Sequence, residues 1–163
     1  MVSWQAFEEE AAGLAAVVKA RFTAAETHVL ATLRADGSPR VSGSEVDFRG
    51  PDLFVGSMLD AVKARDLRRD GRCAIHAHPS DVTGEDGGDA KLAGVAVEVT
   101  DPEEVRRLQG HDMPSHLFRL DLTEVVLTSV EGNALVIRRW RPGQEPVRLE
   151  RPDNGPVVRV GYR

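Results

Sequence analysis

The chain has 163 residues, 41% of them hydrophobic and 29% charged, with a formal net charge of −5. That length can bury one core, so a single domain over residues 1–163 is expected, and the acidic balance argues against general affinity for nucleic acid or an anionic membrane. A lone cysteine excludes an intrachain disulfide and a cysteine-rich metal site, while the absence of a bilayer-length apolar run or a secretion-signal pattern at residues 1–10 predicts a cytoplasmic protein.

Residues 3–22 place Trp4, Phe7, Ala11, Leu14, Val17, Val18 and Phe22 at helical spacing, which predicts one amphipathic helix capped by Ser3. Trp4 on such a face reads as a packing residue. The period then shortens. Residues 27–34 are apolar and β-branched, and Asp36-Gly37 signals a hairpin into the strand at 40–48. On that second strand Val41, Gly43, Glu45 and Asp47 share one face, with Ser42, Ser44, Val46 and Phe48 on the other. It packs little of its own, and Gly43 permits another molecule to come close.

Residues 49–52 form a turn and 53–58 a third strand, followed by a helix over 59–71 that stops at Gly71. This junction is the first candidate site. Arg40 opens the preceding strand, Gly56-Ser57 ends the third, and Lys63 and Arg65 lie in the helix's first turns. A helix start with free N–H groups, a hydroxyl and a lysine can hold a phosphate. Ser57 could also serve as the helix cap.

The rest reads as a strand at 72–78, a polar glycine-rich loop at 80–89, a strand at 91–101 and a short helix opened by Pro102. A final hairpin turns at 131–133 between 117–132 and 133–140, and an irregular arginine-rich tail runs from 141 to 163. Six or seven hairpin-joined strands and three helices, without βαβ alternation, predict a mainly β (α+β) fold: an antiparallel barrel flanked by helices. His76 and His78 alternate on one strand without a Cys, Asp or Glu at ligand spacing, and His111 and His116 flank a loop, so no metal site is expected. Cys73 reads as an inert buried thiol. The basic run at 138–141 reads as rim residues of an edge strand.

The ordered set HVLATLRADGSPRVSG at 28–43, LFVGS at 53–57, KARDL at 63–67 and DGRCAIH at 70–76 resembles the pyridoxamine 5′-phosphate oxidase-like family, the FMN-binding split β-barrel. The resemblance covers residues 1–140. It implies a homodimer with FMN between the subunits and a small-molecule substrate. It puts Arg40, Val41, Ser42, Gly43 and Ser44 beside the isoalloxazine ring, and Gly56, Ser57, Met58, Val62, Lys63 and Arg65 around the ribityl phosphate. The segment at 140–151 is similar to the one that reaches the partner subunit's flavin, which would engage Trp140 and Arg148. Two other functions fit the same fold: a deazaflavin-dependent reductase, its cofactor's acidic tail held by Arg65, Arg68 and Arg69, or a barrel that binds flavin or haem without turnover. The loop at 80–89 has the glycines a lid would need.

Overall fold

The structure, a computed structural model, describes residues 1–79 and 87–162. The chain opens with two helices, α1 (Trp4–Glu10) and α2 (Ala12–Thr23). The cap is as expected: the Ser3 hydroxyl accepts the Ala6 N–H at 3.1 Å. The single helix is not, because the backbone breaks at Ala11 (φ −148°, ψ 56°). The break leaves both apolar stripes buried, Trp4 and Phe7 from α1 and Leu14, Val18 and Phe22 from α2.

Ten antiparallel strands follow among the described residues: β1 (His28–Leu33), β2 (Pro39–Ser44), β3 (Val46–Arg49), β4 (Asp52–Met58), β5 (Arg72–His76), β6 (Asp89–Glu98), β7 (Ser115–Glu131), β8 (Ala134–Trp140), β9 (Val147–Pro152) and β10 (Val158–Val160). Helix α3 (Val62–Arg69) joins β4 to β5, and α4 (Pro102–Gln109) joins β6 to β7. The count exceeds the expected six or seven for two reasons. The strand read over 40–48 divides at Glu45 into β2 and β3, and the tail expected to be irregular adds β9 and β10 to the edge of β8.

Strand pairing closes the barrel. β2 pairs with β1, β1 with β5, β5 with β6 and β6 with β7. β7, 17 residues long, then takes β4 at its start and β8 at its end. β4 carries β3, which is continuous with β2 through Glu45. The ring thus closes through one bent strand, while β8–β10 diverge from β4 as a separate arm, so the barrel is split. The β1–β2 turn follows the Asp36-Gly37 signal: Gly37 sits at φ 84°, and Asp36 Oδ1 accepts the Ser38 N–H at 2.9 Å.

The main core fills the barrel with Leu30, Leu53, Ile75, Leu92, Leu120 and Trp140, covered by α1 and α2. A small second core lies under α4, where Val105 and Leu108 pack on Phe54, Val99 and Leu117. Helix α4 starts as read, with Asp101 accepting the Glu103 N–H and Pro102 in the first turn, and it ends at Gly110 with φ 72°. Most of the loop expected at 80–89 falls on residues outside those described; Asp89 opens β6. Among the described residues no helix is long and apolar enough to cross a membrane.

Candidate functional site

Lys63 organises the site. It lies in the first turn of α3, and its Nζ donates to the Gly43 carbonyl at 2.8 Å and approaches the Ser44 hydroxyl at 3.4 Å. The ammonium therefore bridges the start of α3 and the end of β2. Burial lowers the Lys63 pKa, and the Glu45 carboxylate acts in the opposite direction. Ala61 caps α3 without a side-chain hydrogen bond, and no acidic residue occupies the first turn. Ser57 is not the cap; its hydroxyl donates to the Met58 carbonyl at 3.4 Å. The helix start is left with its N–H groups and its positive end for an anion.

Beside Lys63 runs an open groove of about 1090 Å³. One wall is the end of β4 and the start of α3 (residues 56–58, 61 and 63), and a second is the β2–β3 bend and β3 (43–49). The end of α2 and the residues after it form a third, and the segment between α4 and β7 a fourth. Gly56 lines it with nothing within 4 Å of where a Cβ would stand, so a ligand can approach the β4 backbone there. A cation, a hydroxyl residue, an open glycine and a helix start on one wall fit a flavin phosphate.

Six of the residues expected from sequence line the groove: Gly43, Ser44, Gly56, Ser57, Met58 and Lys63. The other seven do not. Arg40 Nε is bound to Asp66 Oδ2 at 2.6 Å. Val41 points outward, 67% exposed. Ser42 buries its hydroxyl oxygen without a hydrogen-bond partner among the described residues. Val62 is exposed on the outer side of α3. Arg65 donates from Nε and Nη2 to the Asp60 carbonyl. Arg148 lies on β9, ion-paired to Glu131 at 2.9 Å and Glu150 at 2.6 Å.

Trp140 sits in the core, away from the groove. Its indole is fully buried, donates from Nε1 to Glu10 Oε2 at 2.8 Å, and stacks at a tilt on Phe7 with centroids 4.7 Å apart. Committed to this chain's own core, it offers no surface to a ligand. The arginines of a wider anion groove are also engaged: Arg68 with Glu98 at 3.0 Å and Arg69 with Asp66 at 2.9 Å.

Sequence reading missed the groove's other charges. Lys19, Arg49 and Lys63 face Glu26, Glu45 and Asp47 around it, three against three. Lys19 pairs with Glu8 and lies over the Phe48 ring, and Asp47 pairs with Arg49. Glu45 marked itself in the sequence only as one more residue on the Val41 face; the strand break there turns it to the groove.

His116 is a positioning residue at the groove's edge. Its Nδ1 lies 2.7 Å from Glu98 Oε1, and its Nε2 accepts the Asp60 N–H at 3.4 Å. Asp60 takes a left-handed backbone (φ 57°), unusual for a residue with a side chain. His116 and Arg65 thus hold its two backbone groups and fix the turn that leads into α3. Cys73 is half-buried, and burial pushes its thiol up to about 11, which leaves it unreactive at neutral pH. Among the described residues no three His, Cys, Asp or Glu side chains gather as metal ligands.

A family model described as Pyridoxamine 5′-phosphate oxidase matches residues 14–129. No curated protein matches the chain. Several solved structures share the fold. A pyridoxamine 5′-phosphate oxidase-related, FMN binding protein from Nostoc punctiforme is 12% identical, with a TM-score of 0.56, and the alignment covers 92% of this chain and 96% of that one. PhzG from Burkholderia lata, solved with tetrahydrophenazine-1-carboxylic acid, is 17% identical at a TM-score of 0.55, covering 91% of this chain and 88% of that one. A heme binding protein from Mycobacterium smegmatis is 22% identical at 0.55, covering 77% and 57%.

Proposed function

This chain belongs to the pyridoxamine 5′-phosphate oxidase family, and we propose that it is an FMN-binding oxidoreductase acting on a small molecule. The observation that carries the reading is Lys63 at the open start of α3, on one wall of the groove with Gly56 and Ser57. Lys63 supplies a compact cation to the phosphate, and the first-turn N–H groups of α3 supply donors. Gly43 keeps the β2 edge low where a ring would lie. A flavin bound there supplies the hydride chemistry; the chain's own residues bind and orient it.

The reading includes a homodimer with the groove at the subunit boundary. Val41 on β2, Met58 at the end of β4, and Leu59 and Val62 leading into α3 are all exposed, apolar surface that a second copy would cover. FMN is favoured over the longer deazaflavin cofactor because Arg68 and Arg69, which would meet its acidic tail, are held by Glu98 and Asp66. Binding without turnover is the remaining reading; a haem- or flavin-holding barrel would need only the groove.

The experiment is a visible absorption spectrum of the purified protein before and after adding FMN and removing the excess. Flavin absorbance that stays with the protein, and bleaches with a reductant, supports an oxidoreductase. Flavin that stays but accepts electrons from no donor supports a binding protein. A colourless protein that retains no FMN overturns the flavin reading. Sedimentation equilibrium tests the dimer.

A further inference from the structure

We propose that Glu45 is the specificity-determining residue of the groove, a carboxylate set against the charge of a phosphate held at Lys63. The site would then bind the neutral, unphosphorylated flavin nearly as well as the phosphorylated one. This deepens the flavin reading and rests on it.

The placement is local and structural. Glu45 stands at the bend between β2 and β3, is exposed, and lines the groove. The Lys63 ammonium is bonded to the carbonyl of Gly43 and lies near the hydroxyl of Ser44, the two residues just before it. The carboxylate and the ammonium are thus tethered to the same short piece of chain. Among the described residues Glu45 has no ion-pair partner, whereas Asp47 next along the groove is neutralised by Arg49. Glu45 and Lys63 line the same groove, and the carboxylate pulls the lysine's pKa upward against the larger lowering by burial. An anion drawn to Lys63 meets a repulsive carboxylate beside it, and an uncharged ribityl end does not. The hydroxyls of that end can instead donate to the carboxylate.

The test is titration of FMN and of riboflavin into the intact wild-type protein and into Glu45→Gln, followed by flavin fluorescence. Glu45→Gln should tighten FMN about tenfold, the effect of removing one like charge close to the phosphate, and leave riboflavin within about twofold. Glu45→Ser, which removes both the charge and the reach, should tighten FMN in the same direction. Equal shifts for the two flavins, or no shift for either, overturn the proposal while leaving the flavin site standing. If neither flavin binds either protein, the flavin reading fails and the proposal falls with it.

Discussion

Arg40 Nε lies 2.6 Å from Asp66 Oδ2, and this pair ties β2 to α3. Asp66 also accepts from the Thr32 hydroxyl at 2.9 Å and from Arg69 Nη2 at 2.9 Å, so a buried carboxylate collects donors from β1, β2 and α3. The clamp fixes where Lys63, one turn earlier on α3, meets β2. Burial by itself would raise the Asp66 pKa, but the hydrogen bonds from Arg69, Arg40 and Thr32 outweigh it and hold the carboxyl at about 2.

Asp66→Ala should therefore destabilise the fold by about 2–4 kcal/mol, below the largest values for broken buried pairs because both arginines are partly exposed. Urea denaturation measures it. The folded carboxyl titrates below its unfolded value of 3.8, so its contribution is complete above that range and is lost as pH falls toward 2. Acid melts should show this loss in the wild type and a shallower slope in Asp66→Asn. A slope identical in both proteins would mean that the clamp contributes nothing to acid stability.

Lys63→Ala should weaken FMN by about 1.5–3 kcal/mol, the range for a hydrogen bond to a charged partner, with riboflavin little changed. Isothermal titration with both flavins decides it. Because the Lys63 ammonium, among the described residues, bonds to a carbonyl and a hydroxyl and to no carboxylate, melting should change little. An unchanged FMN affinity would remove Lys63 from the phosphate site.

How much of this was legible in the sequence depends on whether the cause is local. The hairpin at Asp36-Gly37, the Ser3 cap and the Pro102 helix start each rest on a few adjacent residues, and each forms where it was read. The break at Ala11 carries no proline, and the nearest glycine, Gly13, lies inside the first turn of α2, so the sequence did not place the break. Strands β9 and β10 lie in a segment rich in Pro, Gly and Arg, and they exist because β8 offers an edge to pair with. At the site, Gly56, Ser57 and Lys63 follow from one strand-to-helix junction and were readable. The fates of Arg40 and Arg65 were not, since the first depends on Asp66, 26 residues away, and the second on the strained carbonyl of Asp60.

Two glycines should behave oppositely. A Cβ on Gly94, at the β6 bulge, would strike the Asp121 carbonyl oxygen of β7, which is backbone and cannot swing aside. Gly94→Ala should cost about 1–3 kcal/mol or more, as overpacking does, read as a lowered melting temperature. Gly56→Ala meets nothing within 4 Å, so the fold should tolerate it. Its methyl would instead project at the groove wall and reduce FMN binding. A Gly56→Ala protein that melts early, or that binds FMN unchanged, would contradict the open approach assigned to β4.

Trp140 separates a core role from a ligand role. Its resemblance-based assignment put it at a partner's flavin, whereas the structure buries it against Phe7 with Glu10 as its hydrogen-bond acceptor. Trp140→Phe removes that donor, leaving Glu10 Oε2, among the described residues, with the longer Gly143 N–H at 3.4 Å. It also vacates part of the indole's volume. The combined loss should be about 2–4 kcal/mol of stability, with FMN affinity unchanged when measured well below the melting temperature. The opposite pattern, full stability with weakened FMN, would return Trp140 to the ligand. A variant that unfolds leaves Glu10→Gln as the decisive partner. That change keeps an acceptor oxygen, should cost less than Trp140→Phe, and should also leave FMN affinity untouched if the indole serves the core.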